Sequence, residues 1–282
     1  MSDPSPPAAA PSGFVRNTLT RFATAAVGIP ILLYFMFIGP EWAFQMVVIV
    51  AIARATHELM RMTMQGATEA YAFGMVATVQ FATTLVLVND AALLSASILF
   101  VVFGAVLTPL LRPEPLGRAG ERLAWLIAGP LYVGGTMASL GRIHLAAHGG
   151  AWVLLAMWFA WASDTGAYFA GRFFGRHKLA PRVSPAKTIE GAVGGLLGSL
   201  TGSVAAHFWF MPTLPLVNAL ALGVVANVFG QAGDLVESLV KRSTGVKDSG
   251  SILPGHGGML DRVDALMFTA TVCWAYTQFV AA

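Results

Sequence analysis

Long apolar runs, broken at intervals by Gly, Pro, Asn and Asp, organise this chain. A hydrocarbon core of about 30 Å needs roughly 20 apolar residues per helix. Nine stretches meet that length: 19–38, 42–60, 71–88, 91–110, 122–141, 151–170, 189–209, 216–234 and 260–280. The breaks between them disfavour continued helix: Gly39-Pro40, Asn89-Asp90, Arg112-Pro113-Glu114-Pro115, Gly149-Gly150 and Met211-Pro212. The 71–110 pair is divided by Asn89-Asp90 alone. The expected fold class is therefore all-α, a polytopic integral membrane protein of about nine transmembrane helices. Gly and Ala runs such as Gly191 to Gly202 suit close helix packing.

Composition agrees. The chain is 56% hydrophobic and 11% charged, against roughly 25% charged for a soluble domain. Its mean hydropathy is +0.69. Residues 1–13, rich in Pro, Ala and Ser, lack any apolar period, and a disordered tail is expected over 1–15. No signal peptide is expected there, because no basic segment precedes a short apolar one. Five helices in 16–150 and four in 151–282 follow, the second group with two polar loops. Cys273, the single cysteine, leaves no partner for an intramolecular disulfide and reads as a small buried hydrophobe.

The basic pI of about 9.2 raises nucleic acid as a partner, and the placement of the charges argues against it. With the N-terminus in the cytoplasm and nine spans, Arg142 alone of the 17 Lys and Arg residues falls outside. That asymmetry is the positive-inside pattern, with the C-terminus on the periplasmic side. The absence of a targeting sequence and the Ala/Gly-rich style point to a bacterial inner membrane.

Both polar loops lie on the cytoplasmic side, at 163–195 and 238–264, with Asp234 and Glu237 just before the second. Asp164 is expected at the end of the sixth helix. Asp261 and Asp264, three apart at a helix start, share one face. Capping of a helix N-terminus is the plainer role for a lone Asp261. Three carboxylates, Asp234, Asp261 and Asp264, at membrane depth must instead neutralise, pair or bind metal. Oxygen donors without cysteine suit Mg²⁺, which completes its shell with water and phosphate oxygens. A phosphate-bearing substrate is implied.

The bases fit the same chemistry. Lys187, Lys241, Arg242, Lys247 and Arg262 are placed to meet phosphate if the two loops converge. Arg112, Arg118 and Arg122 are better read as topology determinants or contacts to anionic head groups. The Gly255, Gly257 and Gly258 backbone can approach a ligand closely, and His256 between them can act as a base or contact phosphate. The other histidines are scattered and have no assigned role. The helix start after Lys187-Thr188 can receive an anion, but the spacing is not that of a Walker A loop. No G-x-S-x-G nucleophile elbow is present.

The run Ser238, Lys241, Arg242, Lys247, Asp248, Pro254 to Gly258, Asp261, Arg262 and Asp264 resembles the signature of the phosphatidate cytidylyltransferases, or CDP-diacylglycerol synthases. Asp164 to Tyr168 and Ser184 to Gly191 also resemble that family. The resemblance covers the C-terminal half and departs at no motif position. It implies that CTP and phosphatidate are joined to give CDP-diacylglycerol and diphosphate. It also implies Mg²⁺ on Asp234, Asp261 and Asp264, with a second ion such as K⁺, and an active site facing the cytoplasm.

On this reading the lipid phosphate attacks the α-phosphorus of CTP in line, and no protein nucleophile is required. Lys187, Lys241, Arg242 and Lys247 neutralise phosphate charge. Arg262 does the same or orients the aspartates beside it. Gly255, Gly257 and Gly258 offer amides, while Ser184, Asp248 and His256 complete the substrate-contacting set. Asp261→Asn is expected to abolish turnover in a folded protein. The expected partners are CTP, phosphatidate and the bilayer, with a homodimer left open and nucleic acid excluded. Rival readings are a CTP-dependent polyprenol kinase, a CDP-archaeol synthase-like enzyme, and an ion-coupled transporter.

Overall fold

The structure is a computed structural model, and it describes residues 26–88, 90–113, 115–250 and 257–280. Each of the nine apolar stretches contains helix. They are α1 (Ala26–Phe37), α2 (Glu41–Thr63), α3 (Thr68–Leu87), α4 (Ala91–Leu111), α5 (Ala119–Gly129) joined to α6 (Thr136–His144), α7 (Gly149–Phe174), α8 (Ile189–Ala205), α9 (Leu216–Ser243) and α10 (Leu260–Phe279). Six are long and apolar enough to cross a membrane: α2, α3, α4, the α5–α6 stretch, α8 with its continuation to Phe210, and α9. The break between α3 and α4 holds: the Asp90 side chain accepts from Leu93 N at 2.8 Å and caps α4.

Two expected helix ends need correction. Asp164 does not end its helix; α7 runs on to Phe174, since the isolated Gly166 and Gly171 are tolerated within a helix and no proline follows before Gly175. Asp234 and Glu237 lie inside α9, which continues to Ser243. Glu237 and Lys241, four apart, pair there and support the extra turns. The fold is all-helical, as expected, apart from a small hairpin between α7 and α8. Strands β1 (Lys178–Ala180) and β2 (Ser184–Thr188) pair antiparallel, with Lys178 opposite Thr188 and Ala180 opposite Ser184. Pro181 occupies the second position of the turn that Val183 N closes on Ala180 O at 3.2 Å, where its fixed φ is favourable.

Small residues let α7 and α8 approach closely. A Cβ on Gly166, Gly194 or Gly198 would collide with the facing helix. Polar side chains tie the neighbouring helices, as apolar surroundings favour. Ser163 Oγ donates to Asn227 Oδ1 at 2.9 Å, and Ser199 Oγ donates to Gly223 O at 2.9 Å. Thr269 Oγ1 donates to Ala156 O at 2.9 Å and joins α10 to α7. Cys273 is buried in this packing, as expected. Arg122 is also buried, at 3% exposure, so it does not contact head groups.

Candidate active site

The Ser184 to Gly191 segment is where local structure places the first functional side chain. Thr188 caps α8, its Oγ1 accepting from Gly191 N at 3.1 Å, so that amide is not open to an anion. Glu190 reaches back to the end of α7 and accepts from the amides of Arg176 at 3.0 Å and His177 at 3.2 Å. The His177 ring lies 2.6 Å from the same carboxylate. These bonds set the hairpin, and β2 then carries Lys187 to α9. Lys187 Nζ lies 2.5 Å from Asp234 Oδ2.

That pair stands in a cleft of about 550 Å³ between α7, the hairpin, α8 and α9. Asp164, Tyr168, Arg172 and Gln231 line it as well. Gln231 is fixed by donating to Asn227 Oδ1 at 2.9 Å and Ala192 O at 3.0 Å. Asp264 of α10 lies within electrostatic reach of Asp234, Asp164 and Lys187. Asp164, Asp234 and Lys187 thus share one cleft with Arg172, and Asp264 acts on them electrostatically without lining it.

Asp261 belongs to a different network. Its Oδ1 receives Lys241 Nζ at 2.6 Å. Its Oδ2 accepts from Gly258 N at 2.8 Å and lies 2.9 Å from Ser249 Oγ. Lys241 also pairs with Glu237, at 2.5 Å. Beneath them is Glu58 of α2, 2% exposed. It accepts from Met259 N at 2.9 Å and Leu260 N at 2.8 Å, the open amides at the start of α10, and lies 2.9 Å from Ser249 Oγ. A carboxylate satisfying helix N-terminal amides is favourable in charge and in hydrogen bonding. Capping at the start of α10 does occur, but Glu58 supplies it.

The expected site residues therefore divide. Lys187 and Asp234 come together at the cleft, and Asp264 lies within their electrostatic reach. Lys241, Asp261 and Gly258 form the second network beside Glu58. Arg242, Lys247, Asp248 and Arg262 are exposed and do not line the cleft. Ser184 begins β2 opposite Ala180. Gly257 has φ +73, a conformation suited to glycine. Gly255 and His256 lie outside the described residues. Among the described residues, no three His, Cys, Asp or Glu side chains already converge on one metal-sized point.

Sequence reasoning missed Glu58, Arg172 and Gln231. Only Glu58 leaves a signal, a glutamate within an apolar helix and four residues after Arg54. Gly258 can be tested here. An added Cβ would land on Ser249 Oγ and Glu58 Oε2, both held by hydrogen bonds and unable to give way. Gly258→Ala is expected to cost about 1–3 kcal/mol, as overpacking does, read as a lower midpoint in thermal unfolding in detergent.

Comparison with known proteins gives one consistent family. The sequence model of the cytidylyltransferase family matches residues 19–280. The phosphatidate cytidylyltransferase of Staphylococcus haemolyticus (strain JCSC1435) is 51% identical over 117 residues, which is 42% of this chain and 45% of that protein. The proteins of that name from Staphylococcus saprophyticus and Staphylococcus aureus (strain COL) are each 50% identical over 117 residues, with the same coverage. The matched stretch thus spans less than half the length of these curated relatives.

Proposed function

Because this chain belongs to the cytidylyltransferase family, we propose that it transfers the cytidylyl group of CTP to phosphatidate, giving CDP-diacylglycerol and diphosphate. The observation that carries this reading is the Lys187–Asp234 pair in the cleft, flanked by Asp164, Arg172 and Asp264. Phosphatidate brings its own nucleophile, a phosphate oxygen. The P–O bond to the α-phosphorus forms as the bond to diphosphate breaks, with no protein nucleophile. What the chain supplies is positioning and charge neutralisation. Lys187 offsets the triphosphate as a point charge, and Arg172 can grip an oxygen pair.

The donor set fits Mg²⁺. Asp164 and Asp234 are hard oxygen donors at one cleft with Lys187, and Asp264 is within electrostatic reach of them. Asp234 and Asp264 would hold the ion, with Asp164 beside them and phosphate oxygens completing the shell. Asp261, the third expected ligand, would join only by exchanging Lys241 for the ion. Bound there, Mg²⁺ would supply charge stabilisation to the reacting phosphates.

The proposed setting is a bacterial inner membrane, with nine spans, the N-terminus and cleft facing the cytoplasm and the C-terminus periplasmic. The Lys and Arg distribution supports it.

The test follows the label. Purified protein is given phosphatidate, Mg²⁺ and CTP labelled at the α- or γ-phosphate. The α-label is expected in the lipid and the γ-label in diphosphate. Appearance of the γ-label in the lipid would make the reaction a kinase's instead.

A further inference from the structure

Glu58 stands in α2, in the N-terminal half of the chain, and does not line the cleft. It is 2% exposed, and a buried carboxylate costs free energy unless its oxygens are satisfied. Arg54, one turn before it, offers little, with Nη2 3.8 Å from Oε1 and its side chain 44% exposed. The bonds come from the start of α10 instead. Oε1 accepts from Met259 N at 2.9 Å, and Oε2 accepts from Leu260 N at 2.8 Å. Ser249 Oγ lies 2.9 Å from Oε2.

The start of α10 is built to need this carboxylate. Asp261 reaches back to Gly258 N at 2.8 Å, the half of a capping box that runs from inside the helix to the backbone ahead of it. The other half is a side-chain oxygen ahead of the first turn, accepting from its open amides. Here the chain offers none: Met259 makes no side-chain cap, and Gly258 has no side chain. Gly257 is in the left-handed region but Gly258 is not, so the Gly258 backbone does not demand glycine. Its missing Cβ answers a need for space, since an added one would collide with Glu58 Oε2 and Ser249 Oγ. A Cβ on Gly250 would likewise crowd Glu58 Oε1, at 2.9 Å. Two glycines thus make room for a cap delivered from another helix.

We propose that Glu58 is a positioning residue of the transfer reaction: it caps α10 in trans, with Gly258 giving it room, and so sets where Asp261 and Asp264 stand. The reaction it serves rests on the transferase reading; the cap does not. Ser249 Oγ lies 2.9 Å from Asp261 Oδ2 as well as from Glu58 Oε2, so one hydroxyl bridges the cap and the aspartate. With Met259, Leu260 and Ser249 held, the face of α10 that carries Asp261 and Asp264 is fixed in rotation and depth. Glu58 therefore acts through α10 and not on substrate.

The experiment is a double-mutant cycle on the purified full chain: Glu58→Ala, Gly258→Ser and the two together. Each is read by its melting midpoint in detergent and by kcat and KM for transfer of α-labelled CTP to phosphatidate, per folded protein and well below the midpoint. Glu58→Ala is expected to lower the midpoint and to cut kcat by about tenfold to a hundredfold, the scale of a small displacement at a reacting group. KM for CTP is expected to move far less, because the Lys187–Asp234 pair is untouched. Gly258→Ser alone is expected to lower the midpoint, as overpacking does. In the pair, the serine enters the space that Glu58 leaves and its Oγ accepts from the open amides, so midpoint and kcat are both expected to rise above those of Glu58→Ala. A pair that folds where Glu58→Ala does not is the same rescue. Gly258→Ser that harms both backgrounds alike overturns the cap. A midpoint restored in the pair with kcat left at the Glu58→Ala level overturns the positioning role, as does wild-type kcat in folded Glu58→Gln. Wild-type protein that transfers no label refutes the transferase reading and the catalytic part with it, while the midpoints still decide the cap.

Discussion

Asp234→Asn is expected to lower turnover by about 10²–10³, the usual cost of removing one preorganised electrostatic group, while the fold persists. Asp234 lies 2.5 Å from Lys187, and the two side chains are 28% and 26% exposed. An ion pair open to solvent contributes about 1 kcal/mol or less, so the thermal midpoint should shift little. The loss is then kinetic, arising from a lysine no longer oriented and a carboxylate no longer able to hold a cation. The check is single-turnover transfer of α-labelled CTP beside a melting curve in the same detergent. Wild-type turnover in this variant would remove the cleft from the reaction.

Asp261→Asn has a different expected signature. Asp261, 15% exposed, holds Lys241 Nζ on one oxygen and Gly258 N on the other. Neutralising it leaves Lys241 with Glu237 alone, at 1% exposure. An asparagine amide also turns donors toward donors. Breaking a buried ion pair from one side costs about 3–5 kcal/mol, a large share of a typical total of about 5–15. A clear fall in the unfolding midpoint is expected, with lost activity following. Assays well below that midpoint separate the roles. Turnover recovered in the cold marks Asp261 as a holder of the Ser249–Leu260 region. Turnover still absent in a folded variant marks it as a ligand of the ion, as the motif implies.

These two aspartates show what was legible. Both stand out in the sequence as acids in an apolar chain, and the motif places both in one metal site. The structure puts Asp234 in the cleft with Lys187 and Asp261 in a separate network with Lys241. Spacing along one helix says that Asp261 and Asp264 share a face. It does not say which neighbouring helix supplies the lysine that each meets. Glu58 makes the point more sharply, since it bonds Met259 and Leu260 from about 200 positions away.

The apolar runs and their breakers determined the helices, because in a lipid environment a backbone must satisfy its own hydrogen bonds and a 20-residue run does so only as a helix. The clustering of Lys, Asp and Gly in the last part of the chain marked a charged site there, since such charges are costly at a membrane unless paired or bound. Tertiary structure alone decided the pairings: Lys187 with Asp234, Lys241 with Glu237 and Asp261, and Glu58 under the start of α10. A salt bridge or hydrogen bond depends on separations of about 3 Å. Separations between helices follow from how small residues such as Gly166, Gly194 and Gly198 let them pack, which no single helix encodes.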